Sequence, residues 1–274
     1  METPVSQRLY EKYFKFSSDQ TRLEKALDEQ KIKREKMIEK LRASCEESQS
    51  TSESNVSIHP DELMIPETSR SLPLDFDSWV VVVRPKGVRY LVLSHHGSTK
   101  LYDEEGKHVK TLRTCLPGGG VFRRGGPCII DCVYSELSNT FYIVDILSWN
   151  KQTFVGCASE ERFLFVSFKI SDILCDHQIT SICKRKNFPL FSDLARFKIS
   201  SPVQVKELVD SLNFQIEGYY IYHMRGMYFV NESSPLFLYV TKDDFESHFS
   251  VPPKVFETPL IENQTPGLVP MDID

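Results

Sequence analysis

The chain has 274 residues, 41% of them apolar and 26% charged, with a formal net charge of −5 at neutral pH. That length supplies one sizeable core, and the acidic balance excludes a protein that coats nucleic acid through bulk electrostatics. Any contact with RNA is therefore expected to be local. The seven cysteines, at 45, 115, 128, 132, 157, 175 and 183, form no Cys-x-x-Cys pair and have no histidine spaced to complete a zinc site. An odd, scattered set of this kind suits thiols in a reducing compartment. No apolar run is long enough to span a bilayer, and the N-terminus has no apolar signal core. A soluble protein of the nucleus or cytoplasm, without a membrane partner, is expected.

Residues 1–44 are highly charged, and Leu23, Leu27, Met37, Ile38 and Leu41 give a helical apolar stripe with Ser18 or Asp19 as N-cap. Gln30 and Arg34 interrupt that stripe, so the helix is expected to fold on a partner rather than pack into a core. Residues 45–62 include E-E-S-Q-S-T-S-E-S and are expected to form a flexible linker. A globular domain is expected over 63–250, followed by a flexible, proline-bearing tail over 251–274.

Within that domain the most strongly patterned run is W-V-V-V-V-R-P-K-G-V-R-Y-L-V-L-S-H-H-G, residues 79–97. Its β-branched and aromatic stretches at 80–83 and 90–93 predict two strands joined by a tight connection at Pro85-Lys86-Gly87. Arg84, Lys86 and Arg89 then share one strand-turn-strand corner, either at the rim of a cleft or on a solvated hairpin tip. The charges alone leave both open.

Downstream, Asp103-Glu104-Glu105-Gly106 predicts a turn between strands at 98–102 and 108–112. Residues 117–126 are dense in glycine and hold Arg123 and Arg124, but their spacing is neither the P-loop nor the dinucleotide fingerprint, so a plain mobile loop is the preferred reading. Strands are predicted at 128–135, 140–147 and 162–168. Ser201-Pro202-Val203-Gln204 combines an N-cap, an N1 proline and a capping-box glutamine, predicting a helix to about 212. A second hairpin is predicted from 215–223 and 227–230 through Arg225-Gly226, then a strand at 235–241 and a short helix at 243–249. Many short strands, mostly hairpin-connected, with few helices define an α+β domain.

The run R-P-K-G-V-R resembles the K-x-D-G-x-R motif of mRNA guanylyltransferases and DNA ligases in degenerate form, with Arg84 in place of the nucleophilic lysine and Lys86 in place of the aspartate. A nucleophilic lysine must lose its proton, and a guanidinium cannot. Other motifs decay similarly. Ile129-Ile130-Asp131-Cys132 resembles L-D-G-E, and Asp145 and Asn150 match the aspartate and asparagine of F-D-x-x-x-x-N. Glu217-Gly218 matches E-G-L-V-F, while P-L-L-K-W-K has become P-L-F-L-Y-V with both lysines lost, at Leu238 and Val240. W-V-V-V-V-R-P-K-G-V-R, H-G-S-T-K-L-Y, I-I-D-C-V-Y-S-E and S-S-P-L-F-L-Y together resemble the snurportins, which have this broken form of the fold.

That resemblance implies an α+β fold of two antiparallel β-sheets flanking a cleft, nucleotidyltransferase-like, preceded by a charged N-terminal helix. It implies a non-enzymatic adaptor that binds the trimethylguanosine cap of spliceosomal U snRNAs and enters the nucleus with importin beta, shuttling between nucleus and cytoplasm as a monomer, without a cofactor or metal. It further implies that Tyr239 takes the place of the family's stacking tryptophan, that Ile65 and Pro66 wall the cap, and that Arg89 contacts phosphate. Lys86 and Lys100 are further phosphate candidates, and Arg84, where the family has a small residue, is a candidate phosphate clamp or a cation beside the base. A second family tryptophan falls near Thr68 and is missing. The importin-binding helix is expected to use Arg22, Lys25, Lys31, Lys33, Arg34 and Lys36, diluted by Glu24, Asp28, Glu29 and Glu35. Recognition of the N-terminal region by an exportin stays open, as do two alternatives: a residual nucleotidyltransferase, and a partner-binding protein that has lost cap binding.

Overall fold

The computed structural model describes residues 19–39, 63–73, 75–120, 125–198, 207 and 209–250. The linker expected at 45–62, the tail at 251–274, Arg123 and Arg124, and residues 201–206 of an expected helix lie outside them. Residues 207, 209 and 210 of that helix are helical.

Two sheets form the body. The first has five strands: β1 (Ile65–Thr68), β2 (Trp79–Pro85), β10 (Arg196–Phe197), β11 (Ile216–His223) and β12 (Ser233–Thr241), in the order β1-β12-β11-β2-β10. The second runs β5 (His108–Leu112), β4 (Ser98–Tyr102), β3 (Val88–His95), β6 (Cys128–Ser135), β7 (Thr140–Trp149) and β8 (Gln152–Thr153), with β9 (Leu190–Asp193) beside β7. Most pairings are antiparallel, as the sequence implied. β1 with β12 and β9 with β7 are parallel.

The strands read as near-continuous apolar runs because both faces are buried. Val80 and Val82 of β2 and Tyr220 and Tyr222 of β11 meet Leu91, Leu93 and Val133 in the layer between the sheets. Trp79, Val81, Val83, Tyr219 and Ile221 face outward under the helix α4 (Lys242–Ser250), where Phe245 stacks on Tyr219 at 3.8 Å. On the far side, α2 (Ser159–Cys175) and α3 (His177–Lys186) cover the second sheet.

Three sequence expectations change. β2 and β3 do not pair with each other: β2 lies between β11 and β10, β3 between β4 and β6. The chain crosses from one sheet to the other at Lys86-Gly87, where a Cβ on Gly87 would run into the Tyr134 carbonyl. The stretch expected as a strand at 162–168 belongs to α2, which buries Phe163, Val166, Ile170 and Ile173 at helical spacing. Residues 227–230 form no strand; β11 pairs with β12 and β2 instead. The glycine-dense loop is also packed rather than loose where it is described. A Cβ on Gly119 would meet the hydroxyls of Thr99 and Thr114 at 2.6 Å.

Helix α1 (19–39) departs from its expectation as well. Gln30, which interrupts the apolar stripe, is 7% exposed and anchors the helix to the body. Its Nε2 donates to Arg225 O at 2.8 Å and its Oε1 accepts from Met227 N at 3.0 Å. Leu23 packs against the outward core of the first sheet. No helix of the described residues is long and apolar enough to cross a membrane.

Candidate functional site

The site forms where β2, β11 and β12 run side by side. In register, Arg84 lies opposite Gly218, and Gly218 opposite Thr241. Tyr220 pairs with Tyr239, their ring centroids 5.7 Å apart. Both rings lie on the face that looks toward the second sheet. A Cβ on Gly218 would come within 2.7 Å of Tyr239 Cε2 and Oη, so the ring leans over a position that only glycine leaves open. It leans toward Arg84, whose guanidinium carbon is 5.7 Å from the Tyr220 centroid and 5.8 Å from that of Tyr239.

Arg84 Nε donates to Tyr220 Oη at 2.8 Å, and its guanidinium pairs with Glu217. The register of β11 shifts between Ile216 and Gly218. That bulge breaks the strict alternation and brings Glu217 to the arginine's side, while Ile216 packs on the outward core. Burial works against the Arg84 charge, but Tyr220 and Glu217 outweigh it and raise its pKa. Burial pushes the Tyr239 hydroxyl pKa up.

Arg89 stands behind this layer. Its Nε and Nη2 bond Asp131 Oδ1 and Oδ2 at 3.0 and 2.6 Å, and Nη2 also donates to Met64 O at 2.9 Å. The two side chains are 3% and 0% exposed. Its Nη1 is 3.7 Å from Glu104 Oε1, on the turn between β4 and β5. Arg89 is therefore committed to a carboxylate inside the protein, with Tyr220 5.6 Å away as its link to the site.

The remaining residues spread along the rim. Thr68 pairs with Tyr239, and Ile65 and Pro66 pair with Ser233 and Ser234 farther along the same edge. Ile65 is 48% exposed. Lys86 is exposed at the crossover corner, its backbone N donating to Gln215 O at 2.7 Å. Lys100 pairs with Leu93 and so shares the inward face of the second sheet. Arg84 and Tyr239 converge, while Lys86 stands exposed at the crossover corner and Lys100 exposed on the opposite sheet. Glu217 and Tyr220 were missed as site residues, although the Glu217-Gly218 motif was a signal for the first.

On α1, Arg22 pairs with Glu67 at 2.7 Å, and Lys33 pairs with Glu232 at 2.8 Å and lies 5.2 Å from the Phe229 ring centroid. Arg34 is half-buried, while Lys25, Lys31 and Lys36 are exposed. Among the described residues no group of three or more His, Cys, Asp or Glu could hold a metal.

Tyr239 is thus half-buried beside an arginine paired with Glu217, while its neighbour Tyr220 is 3% exposed in the layer between the sheets. Residues 62–241 match the family described as Snurportin1, m3G cap-binding domain, and the chain belongs to that family. At the family level it is a cap-binding domain. Solved structures with some likeness are DNA ligases. A mycobacterial DNA ligase D complexed with ATP and MES gives a TM-score of 0.42 at 10% identity, over 66% of this chain and 60% of that one. The ligase domain of M. tuberculosis LigD gives 0.40 at 12%, over 65% and 58%. The chain thus spans less than two thirds of either ligase, and at these values they carry no chemistry over to it.

Proposed function

We propose that this chain is a non-enzymatic adaptor that binds the 5′ trimethylguanosine cap of spliceosomal U snRNAs and carries their particles into the nucleus through importin beta. The observation that carries the cap reading is the position of Tyr239, turned over Gly218 beside Tyr220 and Arg84. An N7-methylated guanine is a flat cation and stacks on such a face. Arg84 and Lys86 at the corner and Lys100 on the facing sheet supply charge for the triphosphate bridge, a recognition by point charges and a planar fork.

The reading as a binder rests on Arg84. It stands at the position of the nucleophile, held charged by Glu217 and Tyr220, and a guanidinium does not deprotonate in a protein. Incubation with labelled GTP or ATP and magnesium should leave the protein unlabelled. A covalent nucleotide on any lysine would overturn the reading.

Fluorescence titration with trimethylated, monomethylated and unmethylated cap dinucleotides tests cap binding. The methylated caps should bind more tightly, and Tyr239→Ala should weaken them by ~1 to 3 kcal/mol, the worth of one base–aromatic stack. Equal, weak binding of all three would refute it.

Import is proposed to run through α1, where Lys25, Lys31 and Lys36 are exposed to an acidic partner surface. Charge reversal at these three lysines should abolish capture of the chain by purified importin beta and nuclear accumulation of a fluorescent fusion. The same shuttling reading includes export by an exportin that recognises the N-terminal region.

A further inference from the structure

The half-buried Tyr239 ring already has a cation beside it, and Tyr220, 3% exposed, backs the site from within the core. Arg84 lies within 6 Å of both ring centroids, donates to one hydroxyl, and is paired with Glu217, whose side chain is 39% exposed against 11% for the arginine. A guanidinium is flat, delocalised and weakly hydrated. An N7-methylated guanine is a cation of the same electronic kind, and it seeks the same surroundings: an aromatic face with a carboxylate at its edge. Side by side on the one partly exposed ring, Tyr239, two such cations repel each other, several-fold more strongly in a half-buried site than in water.

We infer that Arg84 is a resident cation that holds the cap site of the unliganded chain, and that Glu217 is the specificity-determining carboxylate handed from Arg84 to the positively charged base. This rests on the cap-binding reading above. The exchange conserves charge pairing. Before binding, Glu217 faces Arg84; after binding, it faces the methylated base, and the released guanidinium, at the β2–β3 corner beside Lys86, meets the phosphate bridge. An unmethylated guanine is neutral. To stack on Tyr239 it must still take the place of the Arg84 guanidinium on that ring, and it returns no charge to the Glu217 carboxylate, so it is rejected by what it leaves unpaired. The device reads N7 methylation and is blind to the two N2 methyl groups, which carry no charge.

Isothermal titration of the full chain separates the parts. Arg84→Met should bind the nucleoside 7-methylguanosine about fivefold more tightly than the wild type, the worth of one vacated cation–π contact. It should bind the triphosphate-bridged methylated cap more weakly, because the arm that meets phosphate is gone. Glu217→Gln should reduce the preference for N7-methylated over unmethylated cap by about tenfold while the ratio of trimethylated to monomethylated cap stays as in the wild type. Thermal melts report whether each variant is folded, and Glu217→Ala, which also removes the carboxylate, replaces the glutamine variant if that one is not. If the wild type binds methylated caps but Arg84→Met moves nucleoside and cap in the same direction, or the N7 preference survives loss of the carboxylate, the resident-cation inference is wrong and the cap reading stands. If the wild type binds no methylated ligand, both fall.

Discussion

Replacing Asp131 with asparagine leaves Arg89 charged in a place that water does not reach. The pair is bidentate, with bonds of 3.0 and 2.6 Å and side chains 3% and 0% exposed. Tyr228 Oη adds a contact to the same carboxylate at 3.4 Å, and burial pushes the Asp131 pKa up against the opposing pull of Arg89. Breaking a buried pair by removing one partner costs ~3 to 5 kcal/mol, most of it the desolvation of the charge left behind. For a domain of this size that corresponds to a drop of roughly 6 to 20 °C in melting temperature. Arg89→Met should cost a similar amount. The double change, Arg89→Met with Asp131→Leu, removes both charges and should recover most of the loss. Urea unfolding followed by fluorescence measures all three. Single variants that lose under ~1 kcal/mol, or a double variant that loses the sum of the singles, would refute the reasoning and return Arg89 to the role of a free phosphate ligand. The result matters for function, because loss of cap binding in an Arg89 variant would otherwise be read as a lost phosphate contact when it reports a disordered core.

Gly218→Ala should weaken methylated-cap binding nearly as much as Tyr239→Ala, since the added Cβ lies 2.7 Å from the tyrosine ring and 2.8 Å from the Val240 carbonyl; unchanged affinity by titration would show that the ring's tilt is immaterial. Gln30→Leu leaves Arg225 O and Met227 N without partners, ~1 to 3 kcal/mol each. Hydrogen exchange of the α1 amides should accelerate while that of β2 and β11 does not, and equal protection in the variant and the wild type would count against the anchor. His223 is 5% exposed beside Trp79, and burial followed by Arg225 lowers its pKa below the usual 6.5. The unfolded chain then protonates first on acidification, so stability is lost as pH falls below about 6.5 toward the depressed folded value, at up to roughly 1.4 kcal/mol per pH unit. His223→Gln should flatten that part of the urea-midpoint profile between pH 7.5 and 5.5, and an unaltered slope would remove His223 as the cause.

Much of the local structure was legible. The turn at Asp103-Glu104-Glu105-Gly106 and the strands on either side of it match β4 and β5, and the apolar run at 128–135 matches β6. A tight turn and a period of two are short-range signals. α2 was misread because R-F-L-F-V-S-F is rich in β-favouring residues, although Phe163, Val166, Ile170 and Ile173 already carried the helical period. The 227–230 stretch looked like half of a hairpin, but Tyr228 is turned into the core toward Asp131 and Arg162 instead of into a ladder. Gln30 looked like a flaw in an apolar stripe because its two partners lie 195 and 197 residues away.

The sequence by itself determined that position 84 holds a guanidinium, which cannot serve as a nucleophilic amine, the strand that carries Tyr239, and the family resemblance that the match over residues 62–241 bears out. Those follow from residue identity and near-neighbour spacing. Only the tertiary structure decided that the two strands at 79–85 and 88–95 belong to different sheets, and that Arg89 is spent on Asp131. The same is true of Glu217 turning at a bulge to meet Arg84. The physical reason is that a charge takes the partner with which it is desolvated. That partner is chosen by strand order across the sheets, over separations of 42 residues for Arg89 and 136 for Arg84 with Tyr220.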